Sequence, residues 1–498
     1  MPTDSVKGDF IMESLQLDRR GFLGSALGLG LAGCVSPFGG AEDRARLRVG
    51  ILSDTHIREP GPTCASAVST AFYGDGFRKD LPTSGESLKH AFEYFRDRGA
   101  DAVLICGDMC DLGLKVQFAA VRRIWNEVFP GDRAPDGRHV ERLFITGNHE
   151  WGSWDYKCTN KLWPDLADRR GRAFVSDPAK IWEETFDEKF EPISIKTVKG
   201  YDFVLAHYVD KSGVPGLPAF LEKNNGRLRG ARPFFYAQHL HPKDTCSSPF
   251  GASDSGIATR ALSRFPNAVA FSGHTHFSLG DERTIWQGAF TSVGCSSLRF
   301  VQTVHGADNG NSKCPEDATM DPIDGYEGRQ GLFMTVYDER IVLERRDFLR
   351  DISVGDDWVI PLGTRPPRPY AYAARAAAEP KPHFPSGARV EAMRVPARFR
   401  DGAIRDAFAL KFPPALPSVG EPRTSRYEIV AEAAGVKFPP RTVLSKGAVF
   451  GEAADVAKVV CVYPADEIPA GAVVDFTVTP VGCFGARGKP LAFRFDAR

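Results

Sequence analysis

Four short segments of the chain carry side chains suited to holding a metal ion and moving a proton. They are Asp54-Thr55-His56, Gly107-Asp108-Met109-Cys110-Asp111, Gly147-Asn148-His149-Glu150 and Gly273-His274-Thr275-His276. Carboxylate, amide oxygen and imidazole all offer lone pairs to transition metals, and imidazole also exchanges a proton near neutral pH. Each segment follows a short apolar run: Val49-Gly50-Ile51-Leu52, Val103-Leu104-Ile105, Leu143-Phe144-Ile145 and Val269-Ala270-Phe271. Such runs, closed by a turn, read as buried strands. The loop at the carboxyl end of a strand is where α/β folds place their chemistry.

The elements that must position these tips alternate along the chain. Strands are expected at 47–52, 102–106, 143–146, 202–206, 233–237 and 268–272, with a β pair at 331–337 and 340–346. Helices are expected at 86–98, where Leu88, Ala91, Phe92 and Phe95 share one face, and at 116–128. This alternation predicts an α/β fold with sheet layered between helices. Long connections at 57–85, 151–177, 209–232 and 294–328 are expected to wall a substrate pocket. Residues 364–385 are rich in proline and alanine, a linker composition. Beyond it, β-like runs at 427–431, 458–463 and 473–479 predict a small all-β sandwich, separable from the part that carries the motifs.

Taken in order, D-x-H, G-D-x-x-D, G-N-H-E and G-H-x-H resemble the calcineurin-like metallophosphoesterases, over residues 46–362. The resemblance implies a four-layer metallophosphoesterase fold, a two-sheet β-sandwich flanked by helices. The expected organisation is a leader at 1–45, the phosphoesterase domain at 46–363, the linker at 364–385 and a β-sandwich at 386–498. The resemblance also implies two metal ions, with Asp108 as the shared carboxylate. Asp54, His56 and His276 would complete one metal site. Asn148, His274 and one further histidine would complete the other. His207, His239 and His241 all lie near strand ends; His239 is favoured because the family places this histidine near a proline after an apolar strand. His149 resembles the residue that protonates the leaving oxygen, and Glu150 and Asp111 are expected to support the loops. The mixed nitrogen and oxygen donors fit Fe, Mn or Zn better than Ca or Mg. Asp111 stands where purple acid phosphatases carry a metal-bound tyrosine, which argues against a tyrosinate-coloured iron site.

Composition bounds the partners. The 498 residues exceed one ordinary core. Lys plus Arg and Asp plus Glu both number 63, so there is no basic excess to favour nucleic acid. A small phosphorylated substrate is expected instead. Arg19-Arg20-Gly21-Phe22-Leu23 before a short apolar run looks like a twin-arginine signal, with Asp18 and Gly24 departing from the usual flanks. Leu31-Ala32-Gly33-Cys34 resembles a lipobox, which would lipidate Cys34 and attach the exported protein to a membrane in the periplasm or cell envelope. In an exported protein, Cys295 with Cys314 and Cys461 with Cys483 are candidate disulfides. The end of the chain, from 476 onward, is similar to the last hairpin of fibronectin type III domains. The competing reading is a non-catalytic surface-binding protein that retains the phosphoesterase fold.

Overall fold

The computed structural model describes residues 44–58, 82–111, 113–151, 177–209, 212–246, 253–303, 307–310, 323–398, 403–417, 423–451, 458–468 and 471–496. Arg19, Arg20, Cys34 and Cys314 lie outside the described residues.

Two sheets form the part that carries the motifs. The first is built on the parallel strands β1 (Leu47–Leu52), β2 (Ala102–Cys106) and β3 (Glu141–Ile145). The second contains β4 (Ile193–Val198), β5 (Tyr201–Ala206), β6 (Phe234–Ala237), β7 (Ala268–Ser272), β8 (Ile285–Gln287) and β9 (Thr291–Gly294), in the order β4-β5-β6-β7-β9-β8. The first sheet is extended by β10 (Gln330–Val336), β11 (Arg340–Asp347), β12 (Ile352–Ser353) and β13 (Trp358–Pro361), with β10 antiparallel to β1. Alternate residues of the strands face a shared core. Val49, Ile51, Leu104, Leu143 and Leu332 from the first sheet meet Phe203, Leu205, Phe235, Val269 and Phe271 from the second. This is the period-2 pattern of two sheets packed face to face.

The outer faces are covered by helices. α1 (Ser84–Asp97) and α2 (Lys115–Val128) bury Leu88, Phe92, Phe95, Phe118 and Trp125 against Val103, Ile105 and Phe144. α1 starts at Thr83, whose hydroxyl accepts the Glu86 N–H at 3.2 Å while the Glu86 carboxylate accepts the Thr83 N–H at 2.7 Å. Gly50 on β1 has no side chain because the Phe95 ring lies where a Cβ would stand. α3 (Pro178–Phe186) covers the first sheet's β3 side, and α4 (Leu217–Lys223), α5 (Asn225–Leu228) and α6 (Ile257–Leu262) cover the second sheet. Layers of helix, sheet, sheet and helix result, the architecture of the metallophosphoesterase fold.

Past β13 the proline-rich stretch contains a helix, α7 (Tyr372–Ala378), and is tied down. The Tyr370 hydroxyl accepts the Val359 N–H at 2.6 Å, and Arg375 reaches the buried Glu282 carboxylate at 2.8 Å. Two further antiparallel sheets follow. One holds β14 (Glu391–Arg398), β15 (Ile404–Phe412) and β19 (Val459–Pro464). The other holds β16 (Thr424–Ala433), β17 (Val436–Lys437), β18 (Arg441–Leu444), β20 (Val473–Gly482) and β21 (Leu491–Asp496). Phe408, Leu410 and Phe412 face Tyr427, Ile429, Phe476 and Val478 across their core.

The short helix α8 (Lys446–Phe450) leaves this all-β part and packs on the loops near the motifs. Leu444, Val449 and Phe450 share an apolar cluster with Val301, Ala307 and Ile323. The Val449 carbonyl accepts from the Ser278 hydroxyl and, at 3.1 Å, from the Gln330 amide. Cys461 and Cys483 are separate buried thiols. Cys461 faces the all-β core, whereas Cys483 sits past the end of β20 near Arg283, so the fold directs them apart. Cys295 is also a free thiol, with its Sγ 3.7 Å from Cys106 Sγ.

Candidate metal centre

Parallel strands end on one edge of a sheet, so β1, β2, β3, β6 and β7 deliver their tips to one place. β1 supplies Asp54 and His56, β2 supplies Asp108, and β3 supplies Asn148 and His149. β6 supplies His239, and β7 supplies His274 and His276. The tips interlock through the backbone: Asp54 N–H donates to Gly107 O at 3.0 Å, His56 N–H to Asp108 O at 3.0 Å, and Gly273 N–H to His239 O at 2.9 Å. Glycine is required at 147 and 273, where a Cβ would overlap the Asp108 carboxylate and the Ser53 and Asp54 side chains respectively. Five donors adopt left-handed backbone: Asp54 (φ 52°), His56 (φ 44°), Asp108 (φ 51°), His274 (φ 71°) and His276 (φ 55°). Non-glycine residues avoid this region, and such strain concentrates at functional sites.

Three groups of donors result. Asp54, His56 and His276 converge in the first, Asp108, His239 and His274 in the second, and His56, Asp111 and His149 form a third that shares His56 with the first. In the first, Asp54 Oδ1 lies 3.0 Å from His276 Nε2, which is 3.2 Å from His56 Nε2. In the second, His239 Nε2 lies 3.1 Å from Asp108 Oδ2 and 3.0 Å from Asn148 Oδ1. Asp108 Oδ2 is also 3.9 Å from His56 Nε2, which places this carboxylate between the first two groups. Asp54, Asp108, His239 and Asn148 are all buried.

The outward ring nitrogens fix where the protons go. His239 Nδ1 is 2.8 Å from Cys106 O, and His276 Nδ1 is 3.2 Å from Phe300 O. A carbonyl only accepts, so each Nδ1 carries the proton and, in the neutral ring, each Nε2 presents a lone pair to the site. His56 Nδ1 faces the Asp111 carboxylate at 3.4 Å without a formed hydrogen bond. Lone pairs of three imidazoles, two carboxylates and an amide oxygen thus point at one another. Asp54 Oδ1 is buried with no hydrogen-bond donor. That set demands positive charge. Burial would lower His239, but the Asp108 carboxylate overrides it and holds the ring up at about 10. Burial would lower His56 too, yet the nearby Asp111 and Asp54 carboxylates raise it to about 9. Burial would raise Asp54, and the His276 charge outweighs it, leaving the carboxyl well below its ordinary range. Burial pulls His274 down to about 4, helped by the charge of His239. Cations held between these groups would satisfy what protons on His56 and His239 otherwise satisfy, so the donors fit metal ions.

Residues 47–278 match the family model described as calcineurin-like phosphoesterase. The chain carries a calcineurin-like phosphoesterase domain. No curated protein sequence matches the chain significantly. Among solved structures, a dimetal phosphatase from Danio rerio is 13% identical, with a TM-score of 0.34, and the match covers 64% of this chain and 99% of that one. A purple acid phosphatase from yellow lupin (Lupinus luteus) seeds is 15% identical, with a TM-score of 0.35 and coverage of 63% and 53%.

Within the phosphoesterase domain, the other two histidines considered at strand ends do not join the donors. His207 lies between Trp182 and Phe190, with its Nδ1 accepting the Thr146 N–H at 3.1 Å, and burial lowers it to about 3. His241 lies 2.7 Å from both the Ser272 and Thr275 hydroxyls and is lowered by burial to about 3. His149 stands at the edge of the donors: its Nδ1 faces Asp111 O at 2.7 Å, its Nε2 lies 3.8 Å from Asp108 Oδ2, and its ring is edge-on to His56. Glu150, fully buried, accepts the backbone N–H groups of Asp108, Gly147 and Cys110 and so ties the β2 tip to the β3 tip. Burial and the Asp108 charge push its carboxyl up to about 7. The Cys106 and Phe300 carbonyls, which aim His239 and His276, escape any reading of residue types, because every residue has a carbonyl.

Proposed function

We propose that this chain is an exported hydrolase that cleaves small phosphate esters at a binuclear transition-metal centre. The observation that supports this best is the convergence of imidazole Nε2 lone pairs on the Asp54 and Asp108 carboxylates, with the Nδ1 protons committed outward. Asp54, His56, Asp108 and His276 would hold one ion. Asp108, Asn148, His239 and His274 would hold the other, with Asp108 shared. The mixed nitrogen and oxygen set suits Fe, Mn or Zn. When bound, such a pair supplies Lewis-acid charge for the phosphoryl oxygens and lowers the pKa of water.

The chain's own residues do the rest. His149 donates from Nε2 to the leaving oxygen as the P–O bond breaks, while Nδ1–H stays on the Asp111 carbonyl and fixes the ring. The Asp111 carboxylate orients His56 in the manner of a carboxylate behind a ligating histidine. Ser53 donates to Asp54 Oδ2 at 2.5 Å and leaves Oδ1 for the centre.

Export by a twin-arginine route is supported by Arg19-Arg20 before a short apolar run, and membrane attachment by the lipobox-like ending at Cys34. We read the C-terminal sheets as a fibronectin-III-like spacing module. The test is metal analysis of the purified protein together with hydrolysis of a panel of mono- and diesters. Stoichiometric metal with no turnover of any ester would sink the hydrolase. Lysine at both 19 and 20 should leave precursor in the cytoplasm, and normal processing would exclude the twin-arginine route.

A further inference from the structure

Beside the metal centre the structure gathers buried positive charge, and one guanidinium within it has no carboxylate paired to it. Arg299 belongs to the segment after β9 that braces the donors. Two residues before it, the Ser297 hydroxyl donates to Asp54 O at 3.0 Å, and one residue after it Phe300 O receives His276 Nδ1–H. The Arg299 side chain is 7% exposed. Its Nη1 donates to the Ser84 hydroxyl at 2.8 Å, and its Nε is buried without a partner. No carboxylate pairs with it among the described residues. Of the other buried arginines, Arg345 has Glu282 at 2.7 Å and Arg441 has Glu467 at 2.6 Å, whereas Arg423 and Arg329 also lack a carboxylate; Arg299 is set apart from Arg423 by its place beside the metal centre.

Three further positive features surround it. Ser84 is the first residue of α1, so Arg299 sits at the positive end of a 14-residue helix. Arg329 occupies the same turn, donating to Thr83 O at 3.1 Å, to Pro82 O at 2.6 Å and to the Ser87 hydroxyl, and its Nε is also buried without a partner. Arg58, two residues past His56, lies 3.0 Å from Asp111. Burial first, and then the charge of Arg58, pull the Arg299 guanidinium down to about 10, with Tyr326, whose ring lies 5.5 Å from it, and then Asp111 acting in the opposite sense. Asp111 in turn faces His56. A buried guanidinium without a counter-ion is costly, and the planar fork of arginine matches oxyanions.

We propose that Arg299 is the floor of an oxyanion subsite next to the metal centre, receiving a second anionic group carried by the ester, a phosphate or a carboxylate. The proposal rests on the phosphoesterase reading and names the substrate class: esters charged at both ends. Ser84 in the first turn of α1 holds Nη1 of the guanidinium, and Arg329 adds positive charge at the same turn.

The test uses the metal-loaded full chain and phenyl phosphates bearing a neutral methyl ester, a carboxylate or a phosphate at the far ring position. Arg299→Gln should lower kcat/KM for the anionic-tailed esters relative to the neutral one by about 10- to 100-fold, the usual weight of a charge-assisted contact. The loss should appear in KM, and it should shrink as salt rises. Arg299→Lys keeps the charge but not the fork and should fall between; it carries the test if the glutamine variant does not fold. The larger loss identifies the preferred tail, phosphate or carboxylate. An unchanged ratio, or an equal fall for all three esters with a lowered melting temperature, would reduce Arg299 to a brace for α1 and overturn the subsite. If the wild-type protein cleaves none of the three, the methyl diesters of the same three phosphates carry the comparison; if it cleaves neither set, the phosphoesterase reading itself has failed.

Discussion

Replacing Glu150 with glutamine should loosen the metal centre without touching a metal donor. The carboxylate accepts from Asp108 N–H at 3.0 Å and Gly147 N–H at 2.6 Å on Oε2, and from Cys110 N–H at 2.6 Å on Oε1. An amide keeps one acceptor oxygen and turns the other position into a donor. At least one buried N–H then faces an NH2 group, a penalty of about 1–3 kcal/mol. Those N–H groups belong to the loops that carry Asp108 and Asn148, so the penalty acts on the distance between the loops. Falling wholly on that geometry, it weakens metal binding by about 5- to 150-fold, since about 1.4 kcal/mol is tenfold. The measurement is competition for metal against a chromophoric chelator, with circular dichroism as the check on folding. A folded Glu150→Gln protein with wild-type metal affinity would show that the tie between the β2 and β3 tips does not govern the centre.

Three other outcomes are expected. His239→Ala should lose metal and activity together, whereas His149→Ala should keep its metals and lose about 10²–10⁴ in rate, most for alkyl leaving groups; metal loss from His149→Ala would remove the proton-donor role. In chelator-treated protein, His56 at about 9 and His239 at about 10 stand above their ordinary 6.5, so their contribution to stability is complete below about pH 6.5 and lost as pH rises through about 9–10. Urea midpoints should fall over that window only without metal, and parallel curves with and without metal would contradict the electrostatics. A chain ending at Pro385 should be destabilised, because Val301 and Ile323 lose cover from Leu444, Val449 and Phe450 at about 1.5–3 kcal/mol per side chain; a truncation melting like the full chain would show that this contact contributes little.

The sequence showed strands that carry an apolar run or a clear alternation and missed several that carry neither. β7 lies at the expected residues, and β1 and β2 likewise, because an uninterrupted apolar run is the signature of a strand buried on both faces. β4, with the pattern Ile-Ser-Ile-Lys-Thr-Val half-buried along most of its length, and β14, mostly exposed and containing Pro396, carry no such run. The proline-rich stretch looked like a free linker because composition does not reveal that Tyr370 and Arg375 have partners on β13 and at Glu282. For the histidine opposite Asp108 the residue types left His207, His239 and His241, all at strand ends, and only the family resemblance favoured His239, since the choice turns on where each ring points.

The centre itself runs against local preference. At Asp54, His56, Asp108, His274 and His276 the backbone takes a left-handed conformation that strains any side chain, although Asp and His enter it more often than most. Each such residue costs about 1–3 kcal/mol and persists only where its surroundings over-determine it. Here the surroundings are identifiable: the interlocked tip backbones, the Glu150 carboxylate and the contacts of Ser53 and Ser297 with Asp54. Glycine does appear immediately before Asn148 and His274, where the neighbouring carboxylates leave no room for a Cβ. Side chains with lone pairs occupy strained positions and glycine occupies the crowded ones, so the residue types at these tips follow from what the centre must hold, and reading them as chemistry finds the site where reading them as turns would not.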